Sequence, residues 1–166
     1  ILLGSLAELQ KRWSDAERFY QQALLQKTPT TAVIRVAVVL FRQNKNVQAF
    51  EYLEKIQNDI NISDEIRREA FLTEIQFYSF KSNVSNEKSI NDVYQRALSI
   101  WPLAHRIRYQ YAMRLLEQGS NEESIVQLEK ILKYAPTDAG ALNAYGYSLV
   151  KDFNRPRAAY KPIEQA

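Results

Sequence analysis

The feature that most constrains this chain is a recurrence of residue types with a period of about 34 positions. The clearest register runs from a small or apolar residue to a large apolar one four residues on, then an apolar residue and a proline. It occurs as Ile90, Tyr94, Ala97 and Pro102 and returns one full period later as Ser124, Leu128, Ile131 and Pro136. Ala158 stands one further period after Ser124. Ala16, Tyr20, Ala23 and a slightly late Pro29 come earlier, and Ala49, Leu53 and Ile56 continue that register a position short of one period on. A fixed period of this length means one supersecondary unit stacked on copies of itself. Proline cannot continue a helical hydrogen-bond ladder, so these prolines mark where one unit stops and the next begins. With only four Gly and five Pro in 166 residues, regular structure must run long, which favours helices over many short strands.

A second motif precedes the first within each unit. Leu142, Tyr145, Gly146 and Leu149 fit the pattern W-x2-L-G-x2-Y with substitutions. Leu3-Gly4 is its trace in the first unit, and Val36-Ala37 and Tyr111-Ala112 hold the matching positions in two others. The small residues Gly4, Ala37, Ala112 and Gly146 let a second helix approach closely, and the large residue of the other motif fills the space this leaves. On these residues the chain resembles the tetratricopeptide repeat family over essentially its whole length. The resemblance implies an all-α fold, a right-handed α-solenoid of antiparallel helix pairs. It forms a single array of about five repeats, at 1–28, 29–61, 62–102, 103–136 and 137–166. Helices are predicted at about 1–11, 14–26, 30–42, 46–58, 63–81, 87–100, 103–117, 121–134, 138–151 and 155–165. Ser14-Asp15-Ala16-Glu17 and Ser120-Asn121-Glu122-Glu123 have the form of capping boxes at helix starts. Gly119 sits where a helix C-terminal cap is wanted.

The third repeat departs from the pattern. The interval from Ala49 to Ile90 exceeds one period by about seven residues. The extra length is expected in a long first helix, 63–81, and in the polar turn Ser82-Asn83-Val84-Ser85-Asn86. It is either a tolerated insertion or a protrusion with a function.

Catalysis needs converging groups, and the sequence offers none. There is no cysteine, which excludes disulfides and thiolate metal sites, and the one histidine, His105, has no second histidine with which to share a metal. His105 is expected as an exposed helix-start residue. The glycines are too dispersed for a phosphate loop, and no G-x-S-x-G elbow occurs. The acidic pairs Glu122-Glu123 and Asp64-Glu65 fall in first helical turns, where they complement the helix dipole. No enzyme activity, metal or cofactor is expected. No apolar run is long enough to span a membrane. The net charge of +3 is a weak bias. The alternative of a helical-repeat nucleic-acid binder would need Lys and Arg concentrated on the first helix of each pair. They are spread over both helices and interleaved with acids.

In the tetratricopeptide family the first helix of each repeat lines the concave surface, and the resemblance carries that role onto particular residues here. In repeat two they are Ile34, Val38, Phe41 and Arg42; in repeat four Arg106, Tyr109, Met113, Leu116 and Glu117; in repeat five Asn143, Tyr147, Val150 and Lys151. Repeat three is expected to contribute Arg67, Phe71, Glu74 and Tyr78. Tyr, Met and Arg in this set are residue types enriched at protein interfaces. Ile34 and Val38 stand where one subclass of the family carries a Lys and Asn clamp for acidic chaperone tails, so carboxylate-tail recognition is not expected. A protein or peptide partner with apolar anchors fits better.

The stretch Ala141-Leu142-Asn143-Ala144-Tyr145-Gly146-Tyr147-Ser148-Leu149-Val150 resembles a phrase found in proteobacterial outer-membrane lipoproteins built from these repeats. That resemblance implies an envelope adaptor for a periplasmic C-terminal-processing protease, placed on the periplasmic face of the outer membrane. Ile1-Leu2-Leu3-Gly4 has the character of a helix interior, so the chain is expected to be a fragment, with any signal peptide or lipid anchor upstream. At the other end, Pro156 suits a first helical turn, but Pro162 should end or kink the last helix near Tyr160. Leu149, Tyr160 and Ile163 would then form a partly exposed apolar surface, through which self-association or contact with a neighbour, such as further repeats or the partner, is expected.

Overall fold

The computed structural model describes residues 1–25, 31–80 and 84–153, with side chains for all of these but 31, 84–88 and 150–153. The helices are α1 (Leu2–Leu9), α2 (Trp13–Leu25), α3 (Thr31–Arg42), α4 (Asn46–Asn58) and α5 (Asp64–Phe80), then α6 (Val84–Ile100), α7 (His105–Glu117), α8 (Asn121–Tyr134) and α9 (Ala139–Phe153). No strand occurs among the described residues. The predicted final helix, 155–165, lies outside them.

The chain divides into two compact units, Ile1–Val93 and Tyr94–Ala166, with the boundary inside α6. In the first, α1 packs on α2, α2 on α3, α3 on α4 and α4 on α5, and α3 also meets α5. In the second, α7 packs on α8 and α8 on α9, while α7 also meets α9. Packing on sequential neighbours, with α3 on α5 and α7 on α9 joining first helices of successive pairs, is the contact pattern of a helical repeat.

The small residues sit where the sequence places them. Ala16, Ala37, Ala49 and Ala112 are fully buried, and Gly4 is buried on α1. The large residue four positions after the small one on the second helix fills the space between: Tyr20, Leu53 and Leu128 have no exposure, and Tyr94 is buried. Ser124 stands where Ala16 and Ala49 stand in earlier repeats. Its hydroxyl is buried and donates to the carbonyl of Ala112 at 2.8 Å, so the polar atom is satisfied by the helix it packs against. In the second unit Tyr94 stacks on Tyr111, with centroids 5.1 Å apart, and Gln95 donates to the Tyr111 hydroxyl at 3.1 Å. Burial holds the Tyr94 phenol above its ordinary pKa, opposed by Arg114 and assisted by Glu117.

Three turns between paired helices are built alike. Lys11, Asn44 and Gly119 have φ of 56°, 61° and 77°, in the left-handed region. At each, the residue's own N–H bonds the carbonyl three back, and the next N–H bonds the carbonyl five back. The pairs are Lys11 to Glu8 with Arg12 to Ala7, Asn44 to Phe41 with Lys45 to Leu40, and Gly119 to Leu116 with Ser120 to Leu115. This is the Schellman arrangement, which satisfies the last carbonyls of the first helix and reverses the chain within a few residues. Gly119 is legible in the sequence as such a cap.

The predicted capping boxes do not form as drawn. Ser14 lies inside α2, which starts at Trp13, and Ser120 occupies the N-cap of α8 without a side-chain cap bond. The Schellman turn already fixes the chain there, because the Ser120 N–H is spent on Leu115. The side-chain cap falls instead on Asp138, whose Oδ1 accepts from the Ala141 N–H at 2.8 Å at the start of α9.

Repeat three differs from the others in the length of its two helices. Ala70, about one period after Ala37, is the fully buried small residue of α5. Five residues follow Gly4, Ala37 and Ala112 before their helices end, whereas α5 runs ten past Ala70 to Phe80. Similarly α6 begins six residues before Ile90, where α2, α4 and α8 begin three before Ala16, Ala49 and Ser124. The extra length is therefore helix on both arms. Val84-Ser85-Asn86, expected in a polar turn, are helical. The extension of α5 is held down by aromatics. Phe77 stacks on Phe41 with centroids 4.1 Å apart and meets Phe50 edge-on at 5.8 Å, and Tyr78 lies 4.8 Å from Phe50.

Candidate functional site

Three helices converge on one polar network in the first unit. The Tyr20 hydroxyl of α2 donates to Glu8 Oε1 of α1 at 2.7 Å, and Ser5 Oγ lies 3.1 Å from the same hydroxyl. Arg35 of α3 forks onto Glu8, with Nε 2.9 Å from Oε1 and Nη2 2.6 Å from Oε2. Burial lowers the Arg35 pKa, but the Tyr20 hydrogen bond and the Glu8 charge outweigh it, and the net direction is up. Arg35 is thereby fixed in place with its charge already answered.

Beside it a groove of about 390 Å³ opens between α3 and α5, within the range of ligand sites. Ile34, Arg35 and Val38 line it from α3; Glu65, Ile66, Glu69, Thr73 and Gln76 line it from α5, with Ser63 just before α5. Ile34 is 8% exposed and serves both core and groove. Val38 and Ile66 are half-buried and also pack against the core. Thr73 spends its hydroxyl on the Glu69 carbonyl at 2.8 Å, so that hydroxyl is already bonded within α5. The arrangement is an apolar floor flanked by carboxylates, with no nucleophile and general base in contact. Among the described residues no three acidic or histidine side chains come together to hold a metal.

The predicted site residues separate into classes. Ile34 and Val38 line the groove. Phe41 is committed to Phe77, and the Arg42 guanidinium lies 5.5 Å over the Phe80 ring. In the second unit, Tyr109 and Met113 pack against the cluster of Ala112, Leu128, Ile131, Ala141 and Ala144. The Tyr109 ring reaches α9, 3.5 Å from where a Cβ on Gly140 would stand. Leu116 is half-buried, whereas Arg106, Glu117, Asn143 and Tyr147 are exposed, Tyr147 by 57%. The side chains of Val150 and Lys151 lie outside the described residues. His105 opens α7 and is half-buried rather than exposed.

Repeat three needs a correction. Arg67 Nε donates to the Gln57 carbonyl at 3.0 Å, and Glu74 accepts from Gln57 Nε2 at 2.7 Å, so both are engaged by α4. Phe71 is buried and Tyr78 lies on Phe50. None of the four lines the groove. Its α5 wall is the neighbouring stripe Ile66, Glu69, Thr73 and Gln76, spaced three, four and three residues apart as one helical face. That spacing is visible in the sequence. The mixed polarity of α5, which buries Thr73 and Glu74, hides which face turns toward α3.

Of the apolar surface expected at the end of the chain, only Leu149 is among the described residues. Leu149 is buried, and Pro156, Tyr160, Pro162 and Ile163 lie outside the described residues. Exposed leucines also gather on α1, at Leu2, Leu3, Leu6 and Leu9. Among the described residues no helix is long and apolar enough to cross a membrane.

No family model matches the chain, and no curated protein matches it. Solved structures do. The chain superposes on a crystal structure of MamA with a TM-score of 0.62 at 15% identity, covering 98% of this chain and 85% of that one. YrrB, described as a TPR protein with an unusual peptide-binding site, gives 0.57 at 18% identity, covering 98% of this chain and 80% of that one. The fold is that of the tetratricopeptide solenoids. At these identities the likeness is one of fold, and it agrees with the sequence period and the paired small residues.

Proposed function

We propose that this chain is a protein-interaction scaffold that holds a peptide or protein segment along the first helices of its repeats and carries out no catalysis itself. The observation that carries this is the groove between α3 and α5, where Ile34 and Val38 form an apolar floor open to a ligand. The peptide-binding site named for YrrB supports the reading, since that protein shares this fold. In the second unit, taken by itself, Tyr109, Met113, Leu116, Arg106, Asn143 and Tyr147 offer a binding surface on α7 and α9, and Val150 and Lys151 are expected members whose side chains lie outside the described residues. The repeats at 1–28, 29–61, 62–102, 103–136 and 137–166 act as one array.

The test is capture of partners on immobilised chain, wild type against Val38→Glu and against Tyr109→Ala/Tyr147→Ala, with circular dichroism confirming that each variant is folded. Loss of a partner in either variant supports the reading. Retention in both moves the site off the first helices. The finer reading, from the Ala141–Val150 phrase, is a bacterial envelope adaptor that presents substrates to a periplasmic C-terminal-processing protease. Co-elution with such a protease in size-exclusion chromatography tests it, and separate elution at micromolar concentrations removes it.

A further inference from the structure

The α3–α5 groove has a charge of its own, opposite in sign to the chain. The chain carries a formal +3, yet the groove presents two carboxylates, Glu65 and Glu69, one helical turn apart on α5. Like charges at this spacing repel. Both side chains are exposed, and neither is engaged in an ion pair among the described residues. The one cation among the described lining residues, Arg35, is forked onto Glu8 at 2.9 and 2.6 Å and is therefore not available to neutralise them. Between these groups lie Ile34, Val38 and Ile66, which no polar ligand would satisfy.

We infer that the groove between α3 and α5 takes a peptide segment in which an apolar side chain is flanked by lysine or arginine. The apolar anchor sits on Ile34, Val38 and Ile66, and the basic residues lie along Glu65 and Glu69. The inference rests on the scaffold reading and adds the chemistry of its ligand. An acidic segment would bring carboxylates against Glu65 and Glu69 and is disfavoured. A basic segment lacking the apolar residue would leave the floor uncovered, and exposed ion pairs alone are weak.

Three fluorescein-labelled peptides test this by anisotropy on the intact chain: Gly-Lys-Leu-Lys-Lys-Leu-Lys-Gly, the same peptide with Glu for every Lys, and the same peptide with Ser for every Leu. The Lys-Leu peptide is expected to bind at least tenfold more tightly than either other. Glu65→Gln/Glu69→Gln should weaken it about tenfold, the scale of two partly exposed ion pairs, and flatten its salt dependence. Glu122→Gln/Glu123→Gln, on α8, should leave it unchanged. Methyl NMR shifts on titration should centre on Ile34, Val38 and Ile66. Equal binding of the Lys and Glu peptides overturns the inference while leaving the scaffold reading in place. So does equal loss in both Gln pairs, or methyl shifts centred elsewhere. Absence of binding by all three overturns the inference, and the partner-capture experiment then decides the scaffold reading separately.

Discussion

The ring of Tyr20 occupies the space that a side chain on Gly4 would need. An ideal Cβ on Gly4 would stand 2.6, 2.7 and 2.9 Å from three ring carbons of Tyr20. The ring cannot swing away freely, because its hydroxyl is bonded to Glu8 at 2.7 Å and sits 3.1 Å from Ser5. The first helix pair therefore closes this tightly only with glycine at this position. Gly4→Ala is expected to destabilise the chain by about 1–3 kcal/mol through overpacking. Urea denaturation measures it. In a double-mutant cycle with Tyr20→Leu the two penalties should fall short of additivity, since the smaller side chain removes the clash.

The three Schellman turns give a graded series. A non-glycine residue in the left-handed region costs about 1–2 kcal/mol, and asparagine bears it better than lysine. Lys11→Gly should thus raise stability by up to about 1 kcal/mol, and Asn44→Gly by less. Gly119→Ala should lower it by about 1 kcal/mol, although a Cβ there meets nothing within 4 Å, because the cost is conformational rather than steric. Shifts in the urea midpoint with unchanged slope check all three. A destabilised Lys11→Gly would mean that its side chain contributes more than the backbone strain costs.

The fold is legible in the sequence because its strongest signals, Gly4, Ala37, Ala112 and Gly146 against Tyr20, Leu53 and Leu128, describe contacts within and between adjacent helices. Such contacts repeat with the period and are read directly from it. The remainder depends on terms that do not repeat. Lys11 adopts a glycine-like backbone without a glycine's signature, so its turn is not recognisable. The serines at positions 14 and 120 match a capping pattern, but neighbouring backbone bonds pre-empt it at Ser120 and the helix starts a residue early at Ser14. The α5 wall of the groove is misread by a small rotation, because Glu74 and Thr73 are buried polar residues and apolar periodicity gives no bearing on them. Ile34 and Val38, which the repeat register places on the first helix, line the cleft between α3 and α5. Glu65 reads in the sequence only as a helix-start acid, and Glu69 carries no signal of its own.

A buried guanidinium organises the second unit. Arg108 donates from Nη1 to Gln127 Oε1 at 2.6 Å and from Nη2 to the Pro102 carbonyl at 2.6 Å, tying α7 to α8 and to the junction before it. Burial depresses its pKa, with the nearby Tyr134 acting in the other direction. Arg108→Ala should cost about 1–3 kcal/mol, since the two acceptors lose a donor inside the protein. Arg108→Lys should recover only part of this. A lysine supplies a point charge where the site is read by a planar fork. Thermal unfolding of the two variants distinguishes the outcomes, and equal stability of Arg108→Lys and wild type would show that charge alone suffices.

The pair Gln57 and Glu74 places an amide and a carboxyl group between α4 and α5, where the period would favour apolar contact. Gln57 is 1% exposed and Glu74 is 8% exposed, and Gln57 Nε2 donates to Glu74 Oε2 at 2.7 Å. Arg67 adds a bond from Nε to the Gln57 backbone carbonyl and reaches Asp64 with Nη1 at 3.1 Å. Breaking such a pair from one side leaves a buried polar group without that partner, which costs more than the intact bond gains. Gln57→Leu alone should therefore destabilise the chain by about 1–3 kcal/mol. Glu74→Leu alone should cost a similar amount, because the buried bond from the Gln57 amide is lost. Replacing both by leucine removes the desolvation cost together with the bond, so the double variant should be more stable than either single variant. Chemical denaturation of the four proteins measures the coupling. Additive losses would show that the two side chains are held by their other contacts, and that the bond between them does not set the register of α4 on α5.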